Sequence, residues 1–308
     1  MKIIVTGAAG LVGQNLVPRL KARGHEIVAM DKHAANVRIL RELHPDITVI
    51  AADLAADTGW ESALDGADVV VVGHAQIGGL VEDEFIRNNQ RATERLLAAI
   101  KARGGCRLVH ISSSVVNSAA VDWYTETKKA QEAMVRASGL PAVILRPTLM
   151  FGWFDRKHLG WLARFMQKTP VFPIPGNGRY LRQPLYEGDF CDIICACVER
   201  DFSGGAYNIS GQERIDYIDL IRLIKDVTGA RTYVRTIPVP LFALLLRVYG
   251  LIDKNPPFTV KQLHALVTPD VFEVIDWPGI FGVRATPLRE AMIETFRDPR
   301  YANVVLEF

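Results

Sequence analysis

Tyr124 and Lys128 stand four residues apart, directly downstream of the run Ser112-Ser113-Ser114. On a helix that spacing puts the phenol and the ammonium on one face, where both can meet a bound molecule. A phenol near its ordinary pKa of about 10 is a poor proton carrier at neutral pH, and an adjacent lysine cation favours the phenolate and brings it toward the working range. The chemistry offered is therefore proton transfer. The same spacing on an exposed helix makes only a solvated face, so the reading depends on what the rest of the chain places beside the pair.

A second constellation opens the chain. The β-branched run at residues 2–6 passes at once into Gly7-Ala-Ala-Gly10-Leu-Val-Gly13, followed by apolar residues at helical spacing over Gln14 to Arg23. A glycine turn between strand and helix lets the backbone approach a pyrophosphate, and the free amides at the helix N-terminus bind the anion. The next apolar run ends at Asp31, eighteen residues beyond Gly13, where a carboxylate accepts hydrogen bonds from ribose hydroxyls and repels a 2′-phosphate. This favours NAD over NADP, and Lys32 and His33 soften the preference. A third strand, Ile47 to Ala52, delivers Asp53 and Leu54 toward an adenine.

These sites need elements to carry them. Asp68-Val-Val-Val-Val-Gly73 reads as a strand buried on both faces, Arg107 to Ile111 as a fifth strand with the serines at its carboxyl end, and Ala142 to Pro147 as a sixth. Helical patterns at 57–65, 83–103 and Trp123 to Ser138 alternate with them. The rhythm predicts an α/β fold with a doubly wound parallel sheet, whose carboxyl edge binds ligands. Beyond about residue 150 aromatics, prolines and glycines crowd 151–188, which marks loop-rich substrate elements. A strand at 206–210 and a helix at 216–228 follow, and Pro256-Pro257 precedes a last helical unit. The division expected is 1–150 for the dinucleotide and 151–308 mainly for the substrate, with some segments returning to the first domain.

Composition excludes other classes. A net charge of +2 with scattered Lys and Arg makes no case for nucleic acid, and 49% hydrophobic with 23% charged residues is globular. Cys106, Cys191, Cys195 and Cys197 lack the spacing of zinc ligand pairs. The last three read as small hydrophobes on a buried helix face, in a reducing compartment, with no metal. The start of the chain has no signal-peptide pattern, so a cytoplasmic location is expected. The apolar tract Ile237 to Ile252 is too short to span a bilayer and reads as a core or lid helix, a membrane-surface role being the lesser alternative.

Together these motifs resemble the extended short-chain dehydrogenase/reductase superfamily, in particular its NAD-dependent epimerase/dehydratase family. They are Thr6-Gly7-x-x-Gly10-x-x-Gly13, Asp31, Asp53-Leu54, Asn89-x-x-x-Thr93, Ser112 to Ser114, Tyr124-x-x-x-Lys128 and Leu145-Arg146-Pro147. The resemblance implies a Rossmann domain with a smaller, mainly C-terminal α/β substrate domain, and catalysis by Ser114, Tyr124 and Lys128, with Ser113 the alternative serine. NAD would be held by Gly7, Ala9, Gly10, Leu11, Val12, Gly13, Asp31, Asp53, Leu54, Gly73, His74, Ala75, Asn89, Ser112, Tyr124, Lys128 and Pro147. Ser113, Ser114, Thr148 and Arg182 would meet a small-molecule substrate. It also implies a homodimer through the helices at 83–103 and 123–138.

The chain departs from the family's sugar-nucleotide members in reading Arg146-Pro147-Thr148-Leu149 where many carry Arg-Tyr-Phe-Asn. The expected function is NAD-dependent oxidation of a secondary alcohol by an epimerase/dehydratase-type enzyme, a nucleotide sugar being one candidate substrate. The alternatives are an alcohol dehydrogenase or ketone reductase acting on a less polar, steroid-like substrate, and an inactive NAD-binding scaffold.

Overall fold

The computed structural model describes residues 1–119, 121–252, 263, 266–268 and 271–307. The first half alternates as the pattern predicts. β1 (Lys2–Thr6), α1 (Leu11–Ala22), β2 (Glu26–Asp31), α2 (Ala34–Leu43), β3 (Thr48–Ala51) and β4 (Val69–Val72) come first. After β4 come α3 (Glu82–Phe85), a π-turn over Ile86–Arg91, α4 (Ala92–Ala102), β5 (Arg107–Ile111), α5 (Trp123–Ala137) and β6 (Ala142–Pro147). The second half contains β7 (Met150–Phe151), α6 (Leu159–Lys168), β8 (Val171–Pro175), β9 (Leu181–Arg182), β10 (Leu185–Tyr186) and α7 (Glu187–Glu199). It continues with β11 (Ala206–Ile209), β12 (Ile215–Asp216), α8 (Tyr217–Thr228), β13 (Tyr233–Ile237), α9 (Val239–Ile252), α10 (Trp277–Phe281) and α11 (Leu288–Arg297).

Seven strands form one parallel sheet in the order β11-β6-β5-β4-β1-β2-β3. Val69 to Val72 are fully buried because helices cover both faces, as their unbroken apolar run requires. The chain winds one way through β1, β2 and β3 and the other way through β4, β5 and β6. The crevice for a ligand therefore opens between the carboxyl ends of β1 and β4. Gly7 and Gly73 sit at those two ends. A Cβ on Gly7, whose φ is +67°, would lie 2.7 Å from the Gly73 carbonyl carbon. Gly13 is as constrained: its Cβ would fall 2.4 Å from the Ala8 backbone, where α1 crosses β1. Gly13→Ala is expected to cost about 3 kcal/mol of stability, read from denaturant unfolding, because backbone rather than a flexible side chain must yield.

Beyond residue 150 the chain both leaves and rejoins this sheet. α7 packs on α1 through Cys191, whose thiol reaches the Val12 carbonyl at 3.7 Å, and β11 adds a parallel edge strand to β6. Cys191, Cys195 and Cys197 are buried free thiols, and burial pushes the last two up to about 12. A second core forms around α6, α8 and α11. The end of the chain returns to the first half. Leu306 is buried with Trp153, Phe154 and Tyr301, and Glu307 exchanges paired hydrogen bonds of 2.8 Å with the Asn36 side chain on α2.

Three expectations differ. The segment 57–65 is a short 3₁₀ turn over Trp60–Leu64, entered through the left-handed Gly59, and not an α-helix. The helix expected at 83–103 is interrupted by the π-turn, which inserts a residue and redirects Asn88 and Asn89. The apolar tract ending at Ile252 is a helix, but it is no core element: Leu241, Leu244, Leu245 and Val248 are each about half exposed. The Pro256-Pro257 boundary lies outside the described residues.

Candidate active site

At the sheet's switch point lies a cavity of about 220 Å³, lined by Gly7, Gly10, Asp31, Asp53, Leu54, Gly73, His74 and Ala75 among others. Asp31 receives the Ala9 amide at 3.0 Å and the His33 amide at 2.9 Å, yet burial still raises its pKa. Its carboxylate thus ties the glycine turn to the end of β2. Lys32 is drawn off toward Asp53 and Asn88, and Arg87 also pairs with Asp53, so the two cations nearest this rim are engaged by Asp53. Asn89, expected against the cofactor, instead clamps the Gln76 backbone and donates to Thr127 at 2.9 Å. Because of the π-turn it is Asn88 that lines the cavity. Gln76 and Asn36 also line it, and sequence reasoning missed both for want of any motif. Leu11 and Val12 pack into hydrophobic clusters, and Gly13 serves the helix crossing.

Tyr124 lies in the first turn of α5. Asp122 caps that turn, accepting from the Thr125 amide at 2.9 Å and the Thr125 hydroxyl at 2.8 Å. The positive end of the helix dipole therefore falls beside the phenol. The expectation that Lys128 lowers the tyrosine pKa is not met: burial raises it, Ser113 offsets part of the rise, and Asp122 adds to it. The reason is where Lys128 points. Its ammonium donates to the Ile111 carbonyl at 2.9 Å and to Gln131, and burial lowers its pKa to about 7 against a smaller opposing effect of Glu132. Ser113, the alternative serine, is the one that interacts with the phenol. Ser114, half-buried, starts the short turn Ser114–Asn117.

Two side chains that no motif marked order the surroundings of this pair. The first is Gln131. Thr6 donates its hydroxyl to the Val71 carbonyl, so it must accept from Nδ1–H of His74 at 2.8 Å. His74 Nε2 then accepts from Thr93 at 3.0 Å, Thr93 accepts from Gln131 at 2.9 Å, and Gln131 accepts from Lys128. The chain fixes the histidine tautomer and carries β1 to the lysine; burial holds His74 neutral, with a pKa of about 3. The second is Glu132. It receives Ser112 at 2.8 Å, Arg136 at 3.0 Å and two nitrogens of Arg146, and these partners lower its pKa to about 2 against its burial. Ser112 thus belongs to this knot, which joins the ends of β5 and β6 to α5.

On the other side, Leu149, two residues past Pro147, lines a second cavity of about 910 Å³ with Leu159, Trp161, Leu162, Tyr217 and Leu220. Trp161 stacks on Phe165, whereas Trp153 and Phe154 are core residues packed on Tyr301. Arg182 borders this cavity with its guanidinium on the Leu266 and Thr268 carbonyls and over the rings of Tyr180 and Tyr217. The buried hydroxyl of Thr148, at the end of β6, has no hydrogen-bond partner among the described residues. A glycine cradle that admits no Cβ, a carboxylate at the end of β2 and an unpartnered hydroxyl at the end of β6 fit a nicotinamide dinucleotide laid across the sheet edge.

Such a sheet edge, with a tyrosine, a lysine and serines at its far end, defines a dinucleotide-dependent oxidoreductase. The comparisons narrow the class. Residues 3–210 match the NAD dependent epimerase/dehydratase family, and the chain belongs to it. The 2-alkyl-3-oxoalkanoate reductase of Stenotrophomonas maltophilia is 30% identical over 303 residues, covering 87% of this chain and 90% of that protein. The ceramide reductase of Caulobacter vibrioides is 26% identical over 250 residues, 77% of this chain and 74% of that protein. Among solved structures, UDP-glucuronic acid 4-epimerase from Bacillus cereus in complex with NAD superposes with a TM-score of 0.68 at 25% identity, over 77% of this chain and 88% of that one.

Proposed function

We propose that this enzyme interconverts a secondary alcohol and a ketone on a largely apolar substrate, using NAD. The observation that carries this reading is the second cavity, which Leu149 reaches from just past β6 and whose lining joins leucines, Trp161 and Tyr217 to a polar rim that includes Arg156, Lys157, His158, Arg164 and Arg182. Bound NAD supplies the hydride acceptor, or as NADH the donor. Tyr124 takes the hydroxyl proton during oxidation and returns it during reduction. Ser113 interacts with that phenol, and Ser114 is the hydroxyl assigned to the reacting oxygen. Lys128, locked by Ile111 and Gln131, is assigned to the nicotinamide ribose, and Asp31 to the adenosine ribose in preference to a 2′-phosphate. The reductases among the relatives support a ketone as substrate.

Epimerisation of a nucleotide sugar is the second reading, favoured by Arg156, Arg164 and Arg182 along the same cavity. Following NADH absorbance with apolar β-hydroxy acids, β-keto acids and sugar nucleotides separates the two. The first reading expects stoichiometric NADH formation or consumption with the apolar compounds. Turnover of a sugar nucleotide without net change in NADH would replace it by the second.

A further inference from the structure

We propose that α9 is a docking element for an anionic lipid surface, a role separate from the reaction. Leu241, Leu244, Leu245 and Val248 are 48%, 54%, 52% and 49% exposed, and their spacing of three, four and seven residues makes them one continuous stripe. Phe242, Ala243 and Leu246, on the other side of the helix, are half-buried against the protein. An apolar helix that turns four large aliphatic side chains outward while Phe242, Ala243 and Leu246 turn inward is arranged for a second apolar phase. No helix among the described residues is long and apolar enough to cross a membrane, so this one would lie along a surface.

Charge selects the partner. Residues 227–252 contain no Asp or Glu and three cations, Arg231, Arg235 and Arg247. All three are exposed, and among the described residues none of them forms an ion pair. Arginines flanking an apolar stripe suit anionic headgroups above an acyl layer. A second copy of this chain is a poorer match, because two-fold pairing of the stripes would bring the same unneutralised arginines together. Position adds a reason for the device. α9 follows β13, which pairs with β8, and β8 follows α6, whose Leu159, Trp161 and Leu162 wall the apolar cavity. The β8–β13 pair therefore links, in chain connectivity, the stripe-bearing helix to the helix that walls the cavity.

Sedimentation of the full chain with vesicles of equal parts phosphatidylglycerol and phosphatidylcholine, and with phosphatidylcholine alone, tests the proposal without reference to activity. Binding is expected to the anionic vesicles and to be weak on the neutral ones. Leu244→Glu with Leu245→Glu is expected to reduce it at least about tenfold. Arg235→Gln and Arg247→Gln are each expected to weaken it about fivefold. Thermal unfolding and NAD binding serve as folding controls, and should the glutamate pair misfold, the exposed arginine substitutions decide. Absence of binding by the wild type, or binding insensitive to the arginine substitutions, overturns the proposal. So does a wild-type dimer that ignores vesicles and is split into monomers by Leu244→Glu with Leu245→Glu.

Discussion

Tyr124→Phe is expected to lower kcat about 1000-fold and to leave NAD affinity within about twofold of wild type. The phenol is the proton carrier of the proposed reaction, and the phenyl ring that remains fills the same space in the first turn of α5. The protonation balance sharpens the expectation. Burial holds the phenol neutral, and burial also brings the Lys128 ammonium down to about 7. Since the lysine is turned toward Ile111 and Gln131 and does not act on the phenol, the phenolate that forms during catalysis relies on Ser113 and the N-terminal end of α5. Oxidation of the alcohol is therefore expected to accelerate with rising pH, and Tyr124→Phe to remove that slope. Turnover retained by the phenylalanine variant, measured on whichever substrate changes NADH absorbance, would sink this assignment.

The second large effect concerns the knot rather than the reacting atoms. Glu132→Ala is expected to cost about 3 kcal/mol at neutral pH, because Arg146 and Ser112 lose their common acceptor at the junction of β5, β6 and α5. The effect carries a pH signature. A carboxyl whose folded pKa is depressed contributes stability that is complete above its ordinary value of about 4.5 and is lost as pH falls toward about 2. Denaturant unfolding of wild type and variant should thus show a gap that is constant above about pH 5 and narrows through that acid window. A gap that persists unchanged at pH 2 would mean the loss came from packing and not from the ionised knot.

The parallel sheet was readable because its signals are local. β-branched runs at residues 2–6 and 69–72 end in glycines, and each glycine stands where backbone meets backbone. The same holds for Asp31, which needs only to follow β2. The catalytic geometry was legible in its residue types and less so in its directions. Helical spacing puts Tyr124 and Lys128 on one face, but the lysine turns toward Ile111 because that buried carbonyl and Gln131 can satisfy it, a contact set by where β5 ends. Gln131 and Glu132 read as ordinary polar residues in a helix, since their partners on β5, β6 and α4 are remote in sequence. The displacement of Asn89 by Asn88 arises from the π-turn, which leaves no compositional mark. For α9, apolar character was evident and its orientation was not, because a stripe that faces outward has the same sequence as one that faces in.

The return of the chain to α2 at Glu307 closes the molecule on itself. Glu307 grips Asn36, and Asn36 lines the cavity at the sheet's switch point. The second half of the chain is thus tied to the first at several places: β11 on β6, α7 on α1, and this contact of Glu307 with α2. A residue 271 positions further along the chain therefore braces a wall of the switch-point cavity, so the shape of that cavity depends on both halves of the chain.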